Sequence, residues 1–272
     1  MRRTLTAQGA HMSDMDVIIQ QEGAVRTLLL NRPASRNGLT PNVCERLAAA
    51  IEEAGTDATV RCIVLTGKGT SFCSGADLTG ALSELGERSH DDIIRDCFHR
   101  LIRAVIHAPK PVLASIRGGA VGFGFDLALA CDLRVASRVS KMGAVFGRIG
   151  LIPDGGSSFT LSRLVGLGRA MELVLLAETF DGERAYELGI VNRIVNDDEL
   201  ESTTHALAHR LASGPPLAHK HAKANFHAGL TASLDETLER EVAGQVECLA
   251  SADAMEGVQA FLGKRKPQFK GH

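Results

Sequence analysis

Three stretches pair small residues with an acid where an apolar run gives way to a turn. Residues 71–80 read SFCSGADLTG, residues 118–126 read GGAVGFGFD, and residues 149–156 read IGLIPDGG. A turn of small residues that enters a helix leaves backbone N–H groups unbonded and approachable. Two such groups converging on one oxygen form an oxyanion hole, in which losing one donor costs about 3–4 kcal/mol of transition-state stabilisation. A thioester enolate suits such a hole, because its oxygen gains charge as a carbon proton leaves. The acids also have plainer readings. Asp154 and Asp77 each precede a helix as N-caps would, and Asp126 sits where a first-turn charge is favourable. Burial behind the apolar run Ile149–Pro153 would raise the pKa of Asp154, whereas capping would lower it. Other chemistries lack their residues: GGAVGFG is not G-x-G-x-x-G, no phosphate-loop Lys follows it, and no G-x-S-x-G elbow occurs.

Alternating strand and helix patterns position these turns. Residues 16–33 predict two strands around the turn Glu22-Gly23. Residues 40–55 predict a helix with Thr40 as N-cap, Pro41 at its first position, and Val43, Leu47 and Ile51 on one face. RCIVLTG (61–67) predicts a strand buried on both faces. A polar segment reaches to about residue 89 and reads as a loop. A helix then follows, with Ile93, Ile94, Cys97, Leu101 and Val105 on one face, stopped by Pro109. Strands are expected at 111–118, before 137, near 141 and at 191–195. Helices are expected at 168–177, 181–188, 197–212, 216–229, 233–250 and 252–262. This alternation argues for parallel βα units, whose ligands gather where strands end and helices begin. Residues 1–12 read as an unstructured or added leader, 13–214 as an α/β core, and 215–272 as a helical region beginning at Pro215-Pro216.

Composition narrows the function. A net charge of −2 carries no nucleic-acid or membrane signal, and the absence of Trp with a single Tyr removes base-stacking platforms. No signal peptide and no apolar run of spanning length is visible, so a cytoplasmic protein is expected. The six cysteines form no C-x-x-C pair and read as small core residues in a reducing compartment. His205 and His209 stand four apart, but no acidic third ligand accompanies them in the sequence, so no metal site is expected.

SFCSGADL, GGAVGFGFDLALACDLRVAS and FGRIGLIPDGGSSFTLSRLVG occur in this order. Together they resemble the crotonase superfamily of enoyl-CoA hydratases and isomerases. NRPASRNGLT and FLGKRKPQF resemble its flanking segments, so the likeness runs from about residue 16 to 269. The resemblance implies an α/β spiral of repeated ββα units with C-terminal helices for oligomerisation, in a homotrimer or a dimer of trimers. It implies an acyl-CoA thioester substrate and no cofactor, coenzyme A being part of the substrate. The carbonyl would be held by the backbone N–H groups of Ala76 and Phe123; Phe at 123 departs from the small residue common there. The two glutamates of hydratases match Asp126 and Phe146. Phe146 cannot accept a proton, and Asp126 sets its carboxylate back by roughly 1–1.5 Å, a displacement that can cost about a hundredfold in rate. Asp154 matches the acid of several isomerase branches. Coenzyme A would pass Ala34, Arg36, Ser74, Asp77 and Leu78. Arg36 and Lys264 would meet its phosphates, and Gly122 and Phe146 would border the acyl group. The expected reaction is double-bond isomerisation of an enoyl-CoA. The alternatives are a hydratase with altered acid–base residues and a non-catalytic acyl-CoA-binding or assembly protein.

Overall fold

The computed structural model describes residues 16–77 and 88–272. The predicted leader and Leu78 lie outside the described residues, as does most of the polar segment before residue 89. β1 (Val17–Glu22) and β2 (Val25–Leu30) form an antiparallel hairpin, with Glu22 opposite Val25. Gly23 takes a φ of 55° in the two-residue turn, a conformation that favours glycine. β2 then pairs in parallel with β3 (Cys62–Gly67), β3 with β4 (Val112–Ile116), β4 with β6 (Leu133–Ser137) and β6 with β9 (Arg193–Val195). All five residues of β4 are buried, as are the first four of β3. Such continuous apolar runs belong to strands covered on both faces.

The cover on one face comes from α1 (Pro41–Thr56) and α2. Pro41 begins α1, and the Thr40 hydroxyl accepts the Val43 N–H at 3.4 Å, as expected of that N-cap. Val43, Leu47 and Ile51 join the main core. α2 is α-helical over His90–Ile93, π-helical over Ile94–His99 and α-helical again over Arg100–His107. Its buried residues Ile93, Cys97, Leu101 and Val105 recur every fourth position. In a helix of 3.6 residues per turn that spacing drifts by about 40° per step. The wider π turn drifts the other way, which keeps all four on the core. On the opposite face, Leu200, Leu207, Ala208 and Ala212 of α7 (Leu200–Ala212) pack with Val25, Cys62, Val64, Leu113 and Val135.

A smaller sheet carries the turns of interest. β5 (Gly119–Val121) pairs with β7 (Lys141–Gly143), and β7 with β8 (Phe180–Asp181). Single parallel bridges extend it, Cys73 to Ala120 and Leu39 to Ala76. α3 (Phe123–Ala130) follows β5, and Arg134, 4% exposed, donates to the Ala128 and Leu129 carbonyls at its C-terminal end. There a cation complements the helix dipole.

Beyond β7 the chain forms a 3-10 turn over Val145–Ile149, then α4 (Ser157–Val165), α5 (Leu167–Leu175) and α6 (Gly182–Glu187). The last three helices are α8 (Pro216–Gly229), α9 (Leu234–Leu249) and α10 (Ala252–Leu262). The apolar run before Asp154 does not line the interior: Ile149, Leu151 and Ile152 are 53–78% exposed. Apolar character alone predicts burial, but Gly150 at φ 73° ends the 3-10 turn and carries this segment along the surface. Five cysteines are buried and Cys248 is half-buried, all as free thiols. No helix among the described residues is long and apolar enough to cross a membrane.

Candidate active site

The turn 73–77 is held from both sides by backbone. Cys73 donates to the Gly119 carbonyl at 2.9 Å and accepts from Val121 at 3.1 Å. Leu39 donates to Gly75 and accepts from Asp77, both at 2.8 Å. In this parallel pairing the N–H of residue 76 itself faces away from Leu39. Gly75 has a φ of 95°, and a Cβ there would lie 2.9 Å from the Val121 carbonyl oxygen and 3.3 Å from the Phe123 nitrogen. Only glycine allows the 73–77 and 121–123 turns to touch so closely. Phe123 is the first residue of α3, where an amide has no intrahelical acceptor. Among the described residues no hydrogen bond takes the N–H of Ala76 or of Phe123. Gly122 before it, at φ 55°, donates to Gly143 at 2.9 Å and accepts from Phe125 and Asp126.

The aromatic side chain at 123 is housed in the core. It is 1% exposed and packs edge-on against Phe98, with ring centroids 4.8 Å apart. Gly155 covers it, since a Cβ there would be 2.9 Å from the Phe123 ring and 2.6 Å from Asp126 Cβ. Phe146 is also buried, within the 3-10 turn.

Asp126 and Asp154 are therefore linked through Gly155. Asp126 is wholly buried; its Oδ2 accepts the Gly155 N–H at 2.8 Å, and its Oδ1 is buried without a hydrogen-bond partner. Burial pushes its carboxyl up to about 7, against the Gly155 amide and the Ser157 hydroxyl, which favour the charged form; the Asp154 charge adds to the rise. The Ser157 oxygen stands close to Asp126 without meeting hydrogen-bond geometry.

Asp154 is half-buried, and its Oδ1 is likewise buried with no partner. Burial raises its carboxyl above the ordinary range, opposed by its own amide and by His99. It does not cap α4: Gly156, at φ 86°, is the N-cap residue and no side chain caps the helix. His99, in the π turn of α2, holds the Asp154 carbonyl through Nε2 at 2.9 Å.

The expected coenzyme A residues gather in part. The loop after β2 makes a 3-10 turn over Pro33–Ser35, followed by Arg36 and Asn37 at φ 54° and 60°. Ser74 donates its N–H to the Arg36 carbonyl at 3.0 Å and its hydroxyl to the Ser35 carbonyl at 2.9 Å. A Cβ on Gly38 would meet Asp77 Cβ at 3.3 Å and Ser74 Oγ at 3.4 Å. Ala34, Arg36, Ser74 and Asp77 thus share one surface, with Ala34 and Arg36 exposed. Asp77 pairs with Arg32 at 3.0 Å; any helix it caps would begin outside the described residues. Lys264 is exposed after α10, and the chain beyond it returns to Arg61, whose Nη1 donates to the Phe269 carbonyl at 2.7 Å. Arg61 adjoins the start of β3, whereas the turns lie past its end.

Three residues escaped the sequence reading. Asn37, 1% exposed, donates to the Ser71 carbonyl at 2.7 Å and accepts the Arg32 N–H at 2.9 Å, fastening the two loops. The Asn-Gly pair is a turn signal, but not one that gives its partners. Arg32 also donates to the Gly38 carbonyl. No local signal marks His99.

A family model described as Enoyl-CoA hydratase/isomerase matches residues 20–272. A probable enoyl-CoA hydratase of Rhodobacter capsulatus is 41% identical over 244 residues, covering 90% of this chain and 93% of that protein. A 1,2-epoxyphenylacetyl-CoA isomerase of Escherichia coli is 37% identical over 262 residues, covering 94% and 98%. The crystal structure of an enoyl-CoA hydratase from Bacillus anthracis superposes with a TM-score of 0.89 at 31% identity, covering 94% of this chain and all (100%) of that one.

Proposed function

The chain belongs to the enoyl-CoA hydratase/isomerase family, and from that premise we propose that it moves a double bond within an enoyl-CoA. The substrate is a thioester with its double bond one carbon removed from conjugation. Its carbonyl oxygen is held by the N–H groups of Ala76 and Phe123. Asp154, ionised, takes a proton from the α-carbon, and the electron pair flows onto that oxygen. The dienolate collapses as the same carboxyl returns the proton to the γ-carbon, leaving the double bond between the α- and β-carbons. One carboxylate serves both steps when the oxyanion hole holds the intermediate between them. Coenzyme A enters as part of the substrate, along Ala34, Arg36, Ser74, Asp77 and Leu78, with the acyl group bordered by Gly122 and Phe146. No further cofactor is needed.

The observation that carries this reading is the contact of the two turns at Gly75. That contact joins the two turns that carry the unclaimed amides of Ala76 and Phe123, and Gly155, beside the Phe123 ring, directly follows Asp154 with its unpartnered Oδ1, which supports the reading. Asp126 is the more buried acid and grips the Gly155 amide, so its part is to hold the 154–157 turn and the Asp154 carboxyl in place. Phe146 weighs against hydration, because an apolar ring stands where the hydratase pattern has its second carboxylate. The second reading keeps hydration, with Asp126 and Asp154 ordering one water; their two unpartnered Oδ1 atoms favour it. A non-catalytic acyl-CoA-binding role is the third. A homotrimer or dimer of trimers and a cytoplasmic location complete the proposal, with neither nucleic acid nor membrane as partner.

The purified protein is given a 3-enoyl-CoA and a 2-enoyl-CoA separately. Conversion of the first without hydration of the second is expected. Hydration of the second without isomerisation selects the hydratase reading, and inactivity on both with measurable thioester binding selects the non-catalytic one.

A further inference from the structure

The histidine pair on α7 gains in three dimensions the acid that it lacks in sequence. Glu22, at the end of β1, brings Oε1 to 3.3 Å from His205 Nε2, although the two residues are 183 positions apart. His205 and His209 stack with ring centroids 4.1 Å apart. Each of the three residues offers a ligand atom, and those atoms all lie within 4.8 Å of one another. The pair that stands without an acid in the sequence thus has one beside it in the fold.

We propose that Glu22, His205 and His209 bind one divalent transition-metal ion of the zinc class, with water filling the remaining position. The chemistry of the donors fits: two imidazoles and one carboxylate are a known three-ligand set for Zn²⁺. The geometry fits as well. Zinc–ligand bonds of about 2.0–2.1 Å at tetrahedral angles put neighbouring ligand atoms about 3.3–3.4 Å apart. The Glu22–His205 separation already has that value, and rotation about side-chain bonds is enough to bring in His209. An ion pair between Glu22 and His205 is a simpler account of their contact, but exposed pairs of this kind contribute only about 0–1 kcal/mol. It also leaves His209 unexplained, since His209 Nε2 is buried and has no hydrogen-bond partner among the described residues.

The site would clip the end of the β1–β2 hairpin to α7, which packs across the sheet behind it. It lies outside the candidate active site, so its effect is on the stability of the hairpin edge and not on the chemical step.

The test uses the full chain, stripped with a chelator and exchanged into chelator-free buffer. It is titrated with zinc chloride by calorimetry and with cobalt chloride by visible absorption. One ion per protomer, a tetrahedral cobalt spectrum and a rise in the unfolding midpoint with zinc are expected. His205→Gln and His209→Gln should each weaken binding at least about tenfold and abolish the midpoint rise. Glu22→Gln should weaken it less, and His107→Gln, at an unrelated exposed histidine, should change nothing. His205 is surface-exposed, so its variant reports even if His209→Gln disturbs folding. Absence of saturable binding to the wild-type chain overturns the proposal, as does one-site binding that survives unchanged in the His205→Gln variant.

Discussion

In the turns 73–77, 119–126 and 153–157, side chains are small or buried and the contacts run through the backbone. In α8–α10 the opposite holds. Phe226, Leu234, Val246, Leu249, Phe261 and Leu262 are 61–83% exposed, and α8 buries no residue below the surface. The turns meet within one chain: Gly75 and Gly155 allow the close approaches, and among the described residues no hydrogen bond takes the N–H of Ala76 or of Phe123. The helices are incomplete alone, because an apolar surface of that extent is what protein–protein contact ordinarily covers. On the proposed function, chemistry and assembly would draw on separate parts of the sequence, and variants can separate them.

The largest expected effect is at Asp154. Asp154→Asn keeps the shape and removes the base, so turnover of a 3-enoyl-CoA should fall on the order of 10³-fold or more; full activity in that variant would end the assignment. Because burial holds the Asp154 carboxyl above the ordinary range, wild-type kcat/KM should decline on the acid side at a pH above that of an exposed aspartate.

Next comes Gly75→Ala. The new Cβ would press on Val121 and the Phe123 amide, parting the two donors. A loss of about 10²-fold in kcat, comparable to removing one oxyanion donor, is expected with the overall fold retained by circular dichroism.

Asp126→Asn tests stability more than rate. Between 3.8 and about 7 the folded protein keeps a proton on Asp126 that the unfolded chain has released. Stability therefore falls as pH rises through that window, by up to about 1.4 kcal/mol per pH unit. The variant lacks this slope, so its denaturation midpoint relative to wild type should climb as the pH passes from 4 to 7. A constant difference would mean that Asp126 stays ionised when buried.

The smallest effect on the protomer should come from Phe261→Asp. It changes an exposed ring, so protomer stability should move by less than about 0.5 kcal/mol, while sedimentation should report a smaller assembly. An unchanged mass would remove α10 from the interface.

Local signals carried much of the architecture. Thr40-Pro41 marked the start of α1, Glu22-Gly23 the hairpin, and continuous apolar runs the buried strands β3 and β4. The misreadings have physical causes. Ile149–Ile152 is apolar yet exposed, because hydrophobicity records what a segment needs to cover and not whether its own chain does so. Asp154 before Gly-Gly matched a capping pattern, but Gly156 in the left-handed region starts α4 without it. Within the site, the opening turns were legible as small residues at strand–helix junctions. Their closeness was not, since it depends on the bridges from Cys73 to Ala120 and Leu39 to Ala76. The pairings of His99 and Glu22 were hidden for the same reason: each matters through a partner brought to it by tertiary structure, Asp154 in one case and His205 in the other.

The widened turn in α2 fixes a phase between two halves of one rod. Phe98 and His99 lie within it and reach Phe123 and Asp154, while Leu101 and Val105 beyond it seat on the core. Excising one residue from Ile94–His99 would restore an ordinary helical repeat and leave the two halves at nearly the same phase, because the wide turn takes up about one residue. The core seam through Leu101 and Val105 would survive. The cost would fall on the turn's own contacts, the Phe98 ring on Phe123 and the imidazole on the Asp154 carbonyl, so a single-codon deletion there should disturb the site more than the fold.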